Sequence, residues 1–159
     1  MDGISQELAA MDPAELALGA GLIGIIISFY TVFRVVWYFI SSIGYYKMNI
    51  KAGEAGWKAF IPIYNTYNNY KISWNGKLFF LYAALTIVSS ILGIYTEGVM
   101  AMVAGVVSLG IVILAVMQNV KMAKLFGKGA GTGIALMFFP GITSLILGMG
   151  KAEYMAIGE

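Results

Sequence analysis

Four apolar runs, at about residues 16–43, 78–95, 99–116 and 134–149, alternate with short polar stretches along this chain. A helix rises about 1.5 Å per residue, so a run of about 20 residues crosses a hydrocarbon core of roughly 30 Å. The pattern predicts an all-α fold, a polytopic membrane helical bundle with four hydrophobic spans, in a single membrane domain over 1–159. Thr96-Glu97-Gly98 is short enough to make the second and third spans an antiparallel hairpin. Pro140-Gly141 breaks the last run, which predicts either a kinked crossing or a re-entrant hairpin. Non-helical backbone at that depth survives only when buried against protein.

The polar stretches carry the remaining local signals. Met11-Asp12-Pro13-Ala14-Glu15 reads as a helix start, with Asp12 as N-cap and Pro13 at the first helical position. Residues 47–77 form the one substantial loop, with Lys47, Lys51, Lys58, Lys71 and Lys77 against the single acid Glu54. Its centre, Trp57 to Asn65, is apolar but too short to cross, and Pro62 is expected to interrupt any helix there. Tyr64, Tyr67, Tyr70 and Trp74 recur at three- to four-residue spacing, which suits an interfacial segment in the headgroup region. Trp37, Tyr38, Tyr45 and Tyr46 resemble an aromatic belt at the end of the first span.

Composition strengthens the membrane reading. The chain is 60% hydrophobic and 11% charged, against roughly 25% charged in soluble domains, so lipid must cover what polar side chains do not. Cysteine and histidine are both absent, which excludes disulfides and zinc or copper sites built on thiolate or imidazole. No cofactor is expected, and a net charge of +2 argues against a nucleic-acid partner. The first fifteen residues hold four acids and no Lys or Arg, the reverse of a basic signal-peptide start. The first apolar segment is therefore expected to stay in the mature protein. Eight of the ten basic residues fall in 47–77 and 118–131. The positive-inside rule then places both loops in the cytoplasm and the amino terminus outside, in a multi-pass protein of the plasma membrane.

Candidate chemistry is sparse. Arg34 is the one basic residue within a span; a charge at the bilayer centre costs about 2.5–3.5 kcal/mol on insertion scales. It reads as a functional charge or, preferably, as a side chain snorkelling to phosphates. Gly127 to Gly133 around Lys128 lacks the spacing of a phosphate loop and is expected to be a hinge. Ala101, Ala104, Gly105 and Ser108 put small side chains on one face of the third span, suited to close helix packing. Ser41, Ser42, Ser89, Ser90 and Ser144 are scattered in apolar surroundings, with no lysine placed for a Ser–Lys dyad. No catalytic residue is assigned and no enzymatic activity is expected.

Two stretches resemble a known family. Gly56-Trp57-Lys58-Ala59-Phe60-Ile61-Pro62-Ile63-Tyr64-Asn65 is similar to a GWKAxIPxYN signature of small, uncharacterised bacterial multi-pass membrane proteins. Ala123-Lys124-Leu125-Phe126-Gly127-Lys128, Phe139-Pro140 and Leu147 to Tyr154 resemble that family's AKxFGK…P…LGxGxAxY ending. The resemblance spans roughly residues 50–154 and implies a membrane domain of unknown function. Some members carry a signal-peptidase label, but the resemblance supplies no catalytic residue to transfer.

The resulting expectation is a non-enzymatic subunit of a homo- or hetero-oligomeric membrane assembly, with lipid and other membrane subunits as partners. The alternatives are a pore or small-solute transporter lined by the broken last segment and the 57–74 stretch, and an intramembrane enzyme. Arg34, Trp57, Lys58, Pro62, Tyr64, Asn65, Lys128 and Pro140 are the residues singled out for specific function.

Overall fold

A computed structural model describes residues 12–95 and 97–156. The expectations for residues 1–11 and for Thr96 lie outside the described residues. Every element among the described residues is a helix, and none is a strand. In chain order it comprises α1 (Pro13–Lys51), a 3-10 turn (Gly56–Phe60), α2 (Pro62–Ser73), α3 (Gly76–Leu92), α4 (Gly98–Leu125), α5 (Ala130–Phe138) and α6 (Pro140–Met149). These group into two compact units, one within residues 1–38 and the other within 39–159.

In the first unit, α1 starts as its sequence demands. Asp12 Oδ1 accepts from the Ala14 amide at 3.1 Å, and Pro13 occupies the first helical position, where its missing N–H costs nothing. The side chains that follow are uncovered; Phe29, for one, is 76% exposed. No described residue before Ser41 is buried.

The second unit holds the core. Met48 from the end of α1, Ala59 from the 3-10 turn, Ile72 from α2, Met122 and Phe126 at the end of α4, Leu136 of α5 and Leu147 of α6 form one buried cluster. Two glycines shape its approaches. Gly53 and Gly127 have φ of 76° and 67°, a left-handed conformation that a Cβ would oppose. Each closes a Schellman motif: the Glu54 amide donates to the Asn49 carbonyl at 2.8 Å, and the Lys128 amide to the Ala123 carbonyl at 2.9 Å.

Three sequence expectations change here. Pro62 does not interrupt a helix but begins α2. The 57–74 stretch is more than an interfacial strip: Ala59, Asn65, Asn68, Tyr70, Ile72 and Ser73 are buried in the second unit. The 118–131 stretch is helical as far as Leu125, because α4 carries its apolar face past the last span residue into Met122 and Ala123.

The last segment folds into two short helices that turn at Pro140. Pro140 offers no N–H to continue the helix, so α5 stops after nine residues and α6 restarts for ten. The two ends then meet: the Met155 amide donates to the Leu125 carbonyl at 2.7 Å, and the Met155 methyl lies 3.6 Å from where a Cβ on Gly127 would stand. Both arms pack closely. A Cβ on Gly133 would come within 2.8 Å of the Asn119 carbonyl oxygen, and one on Gly44 would overlap the Ser144 backbone. Two helices, α1 and α4, are long and apolar enough to cross a membrane, while α3 and α6 are shorter apolar helices. Neither α3 nor the apolar stretch of α4 contains a buried residue.

Candidate functional site: a polar and aromatic platform

The platform of the second unit is held by lysines. Lys51 closes α1 with its ammonium donating to three carbonyls, those of Leu147 at 2.9 Å and of Gly150 and Ala152 at 2.8 Å. A cation at the end of α6 meets both the free carbonyls and the negative end of the helix dipole. The Tyr154 hydroxyl then donates to the Ile72 carbonyl at 2.7 Å, and its ring stands edge-on to Phe126. The chain after α6 is thereby pinned to α1, α2 and α4. Burial, and next the charge of Glu54, raise the Tyr154 phenol above its ordinary pKa.

Glu54 organises the other edge. Its carboxylate accepts from Lys58 at 2.6 Å and from Lys71 at 2.5 Å, with its side chain only 15% exposed. Burial pushes this carboxyl up, but the bonds and charges of the two lysines outweigh it and hold the pKa below the usual glutamate value. Lys71 is raised in turn, chiefly by its bond to Glu54. Glu54 thus clamps the 3-10 turn onto α2. Among the described residues the ion pairs are these two.

Between the edges lies a strip of amides. Gln118 Nε2 reaches the Asn69 carbonyl at 3.4 Å and Ser73 Oγ at 3.3 Å, and Asn69 Nδ2 approaches Asn65 Oδ1 at 3.4 Å. Asn49 and Asn68 are fully buried, and no group among the described residues bonds their side chains. Such amides are costly to bury. Burial, then the neighbouring Tyr82, pushes the Tyr70 phenol up to about 12. Trp74, at the end of α2, has the Lys121 ammonium 3.7 Å from its ring centroid. Beside it, Ser73, Lys121, Lys124 and Leu125 line an open cavity of about 200 Å³. On the other side of α2, two apolar cavities of about 310 and 460 Å³ share Ile63 and Phe79.

The residues singled out from sequence divide accordingly. Trp57 and Tyr64 meet edge-on at 5.6 Å between ring centroids, Lys58 joins the Glu54 clamp, and Pro62 and Asn65 lie on α2 beside them. Lys128 is exposed after the Gly127 turn, and Pro140 stands at the hairpin tip. Arg34 belongs to the first unit, exposed, with its guanidinium 5.7 Å from the Tyr30 ring. Of the small-residue face, Ala101 and Ala104 are half-buried, and the Ser108 hydroxyl bonds that of Ser89 on α3 at 2.9 Å. Gly105 is open, with nothing within 4 Å of an added Cβ. The Ser144 hydroxyl donates to the backbone carbonyls of Ser41 and Gly141, and that of Ser90 to Thr86.

Lys51, Trp74, Gln118 and Lys121 were not singled out from sequence, although they organise much of the site. A lysine and a glutamine just beyond an apolar run read as ordinary boundary residues. The return of the last segment shows what Lys51 holds, and the packing of α4 on α2 shows what Gln118 and Lys121 hold.

Among known proteins, the model of a family of unknown function (DUF5684) matches residues 57–156. No curated protein and no solved structure matches the chain.

Proposed function

As the chain belongs to that family of unknown function, we propose that it is a membrane subunit acting by lateral helix packing rather than by catalysis, with copies of itself or inside a larger assembly. The observation carrying this reading is a seam on α1. Ala14, Ala17, Gly21, Gly24, Ser28 and Thr31 follow one another at alternating steps of three and four residues, and all are exposed. That is the heptad spacing of a helix–helix contact. A Cβ added at Gly21 or Gly24 would meet nothing within 4 Å, so a second backbone can approach closely. In lipid, close packing rather than hydrophobicity drives helices together. On α4, by contrast, Ser108 of the small face is engaged by α3 within the chain.

In this reading the protein lies in the plasma membrane with 47–77 and 118–131 cytoplasmic and the amino terminus outside. The hairpin of α5 and α6 dips into the bilayer from the cytoplasmic side and returns to it. A conducting path would have to use that hairpin, but Phe138, Phe139 and Ile142 at its tip are exposed, which supports contact with lipid instead.

Native mass spectrometry and cross-linking in mild detergent test the proposal. The wild type is expected as an oligomer or with co-purifying subunits, and Gly21→Leu with Gly24→Leu is expected to dissociate it. A strictly monomeric wild type with no companion would overturn it.

A further inference from the structure

The cavity bounded by Ser73, Lys121, Lys124 and Leu125 plays no part in helix packing along α1. One wall is hydrogen-bonded in place: Ser73 is buried, donates to the Asn69 carbonyl at 2.5 Å and receives Gln118 Nε2 at 3.3 Å. Lys121 is oriented as well, its ammonium resting on the Trp74 ring at 3.7 Å. Among the described residues no ion pair reaches Lys121 or Lys124, since both ion pairs engage Glu54.

Charge bookkeeping decides what fits. The cavity is bordered by the last residues of two helices, Ser73 of α2 and Leu125 of α4. Each helix end contributes roughly −0.5 of an elementary charge. Two ammonium groups exceed that by about one positive charge, which matches the single negative charge of a phosphodiester. Ammonium groups are donors only, so the complement is an acceptor-rich anion.

Depth selects the source of that anion. The apolar run of α4 ends at Met117. Lys121 lies four residues further, about 6 Å along the axis, and Lys124 about 10 Å. Beyond the hydrocarbon core, each headgroup layer is about 5–8 Å thick. If α4 crosses as the membrane reading requires, Lys121 stands at the level of the phosphates.

We propose that this cavity binds the phosphate of an anionic phospholipid headgroup from the adjoining leaflet. The inference rests on the membrane seating above but not on self-association. The shared chemistry is a phosphate ester, and free phosphate is the competing source.

The test is native mass spectrometry of the full chain released from mixed micelles holding phosphatidylglycerol and phosphatidylcholine, with inorganic phosphate titrated in a parallel arm. The wild type is expected to retain phosphatidylglycerol in preference to phosphatidylcholine. Lys121→Gln with Lys124→Gln should lose that retention by about tenfold or more, as removal of charge-assisted contacts predicts. Lys121→Arg with Lys124→Arg should keep it, and Lys128→Gln, outside the cavity, should match the wild type. Equal retention in the double Gln variant, or displacement of the lipid by inorganic phosphate at equal concentration, would overturn the proposal. The same spectra report oligomeric state separately. Lost lipid with an intact oligomer therefore supports this site, and a monomer that still selects phosphatidylglycerol counts only against the packing reading.

Discussion

The Lys51 ammonium stands 2.8 Å from the carbonyl oxygen of Gly150, joining the end of the first helix to the end of the last across ninety-nine residues of sequence. The same nitrogen also serves Leu147 and Ala152. Lys51→Met keeps much of the apolar stem and removes all three bonds. Hydrogen bonds from a charged group contribute about 1.5–3 kcal/mol, and three sharing one donor are not additive. A loss of about 3 kcal/mol is expected, read as a lower melting temperature in detergent. Proteolysis after Met149 should appear at temperatures where the wild type resists. Unchanged melting and cleavage would show that Tyr154 and Met155 hold the tail alone.

Helix approach at Gly44 and Gly148 supplies a second expectation. A Cβ on Gly148 would overlap the Gly44 carbonyl oxygen and come 3.0 Å from the Lys47 Cβ. Gly148→Leu should cost about 3 kcal/mol through overpacking, whereas Gly105→Ala, where the space is open, should leave melting unchanged or slightly raise it. Equal melting of the two variants would remove close backbone contact as the reason for glycine at 148.

The return of the last segment can be read by labelling, because the chain contains no cysteine. Lys128→Cys and Glu153→Cys, introduced singly, should react with an impermeant thiol reagent from the same side of sealed vesicles, and Glu15→Cys from the opposite side. Opposite reactivity at 128 and 153 would mean that α5 and α6 cross.

The Glu54 clamp sets a pH window. Its folded-state pKa lies below the ordinary 4.5, so its stabilisation is complete above that value and is lost as pH falls through the lower folded-state pKa. Lys71 is raised above its ordinary 10.5. Its contribution is therefore complete below 10.5 and disappears as pH rises through the higher value. Cleavage within the 3-10 turn, followed against pH, should stay slow between these limits and quicken outside them. In Glu54→Gln the acid limb should flatten; an unaltered limb would assign acid sensitivity to another group.

Much of this molecule was legible in its sequence. Helices, their apolar runs, the Asp12-Pro13 start and the hairpin of α3 and α4 follow from local rules: side-chain periodicity, the cost of bare backbone polar groups in lipid, and the cap chemistry of single residues. Membership of a family of unknown function was visible in the stretch from Trp57 to Tyr154. Part of the site was visible too, since Trp57, Lys58, Pro62, Tyr64 and Asn65 cluster within one short segment. Tertiary structure decided where the core lies. The most apolar residues, which in water would be buried, remain on the surface, while the packed interior forms among the lysines, asparagines and glycines of the connecting stretches. Sequence pattern reports which solvent a segment prefers. It does not report which distant carbonyl a lysine will reach: Lys51 on Gly150 and Tyr154 on Ile72 exist only because the last segment turns at Pro140 and comes back, and Lys121 on Trp74 because α4 packs against the end of α2.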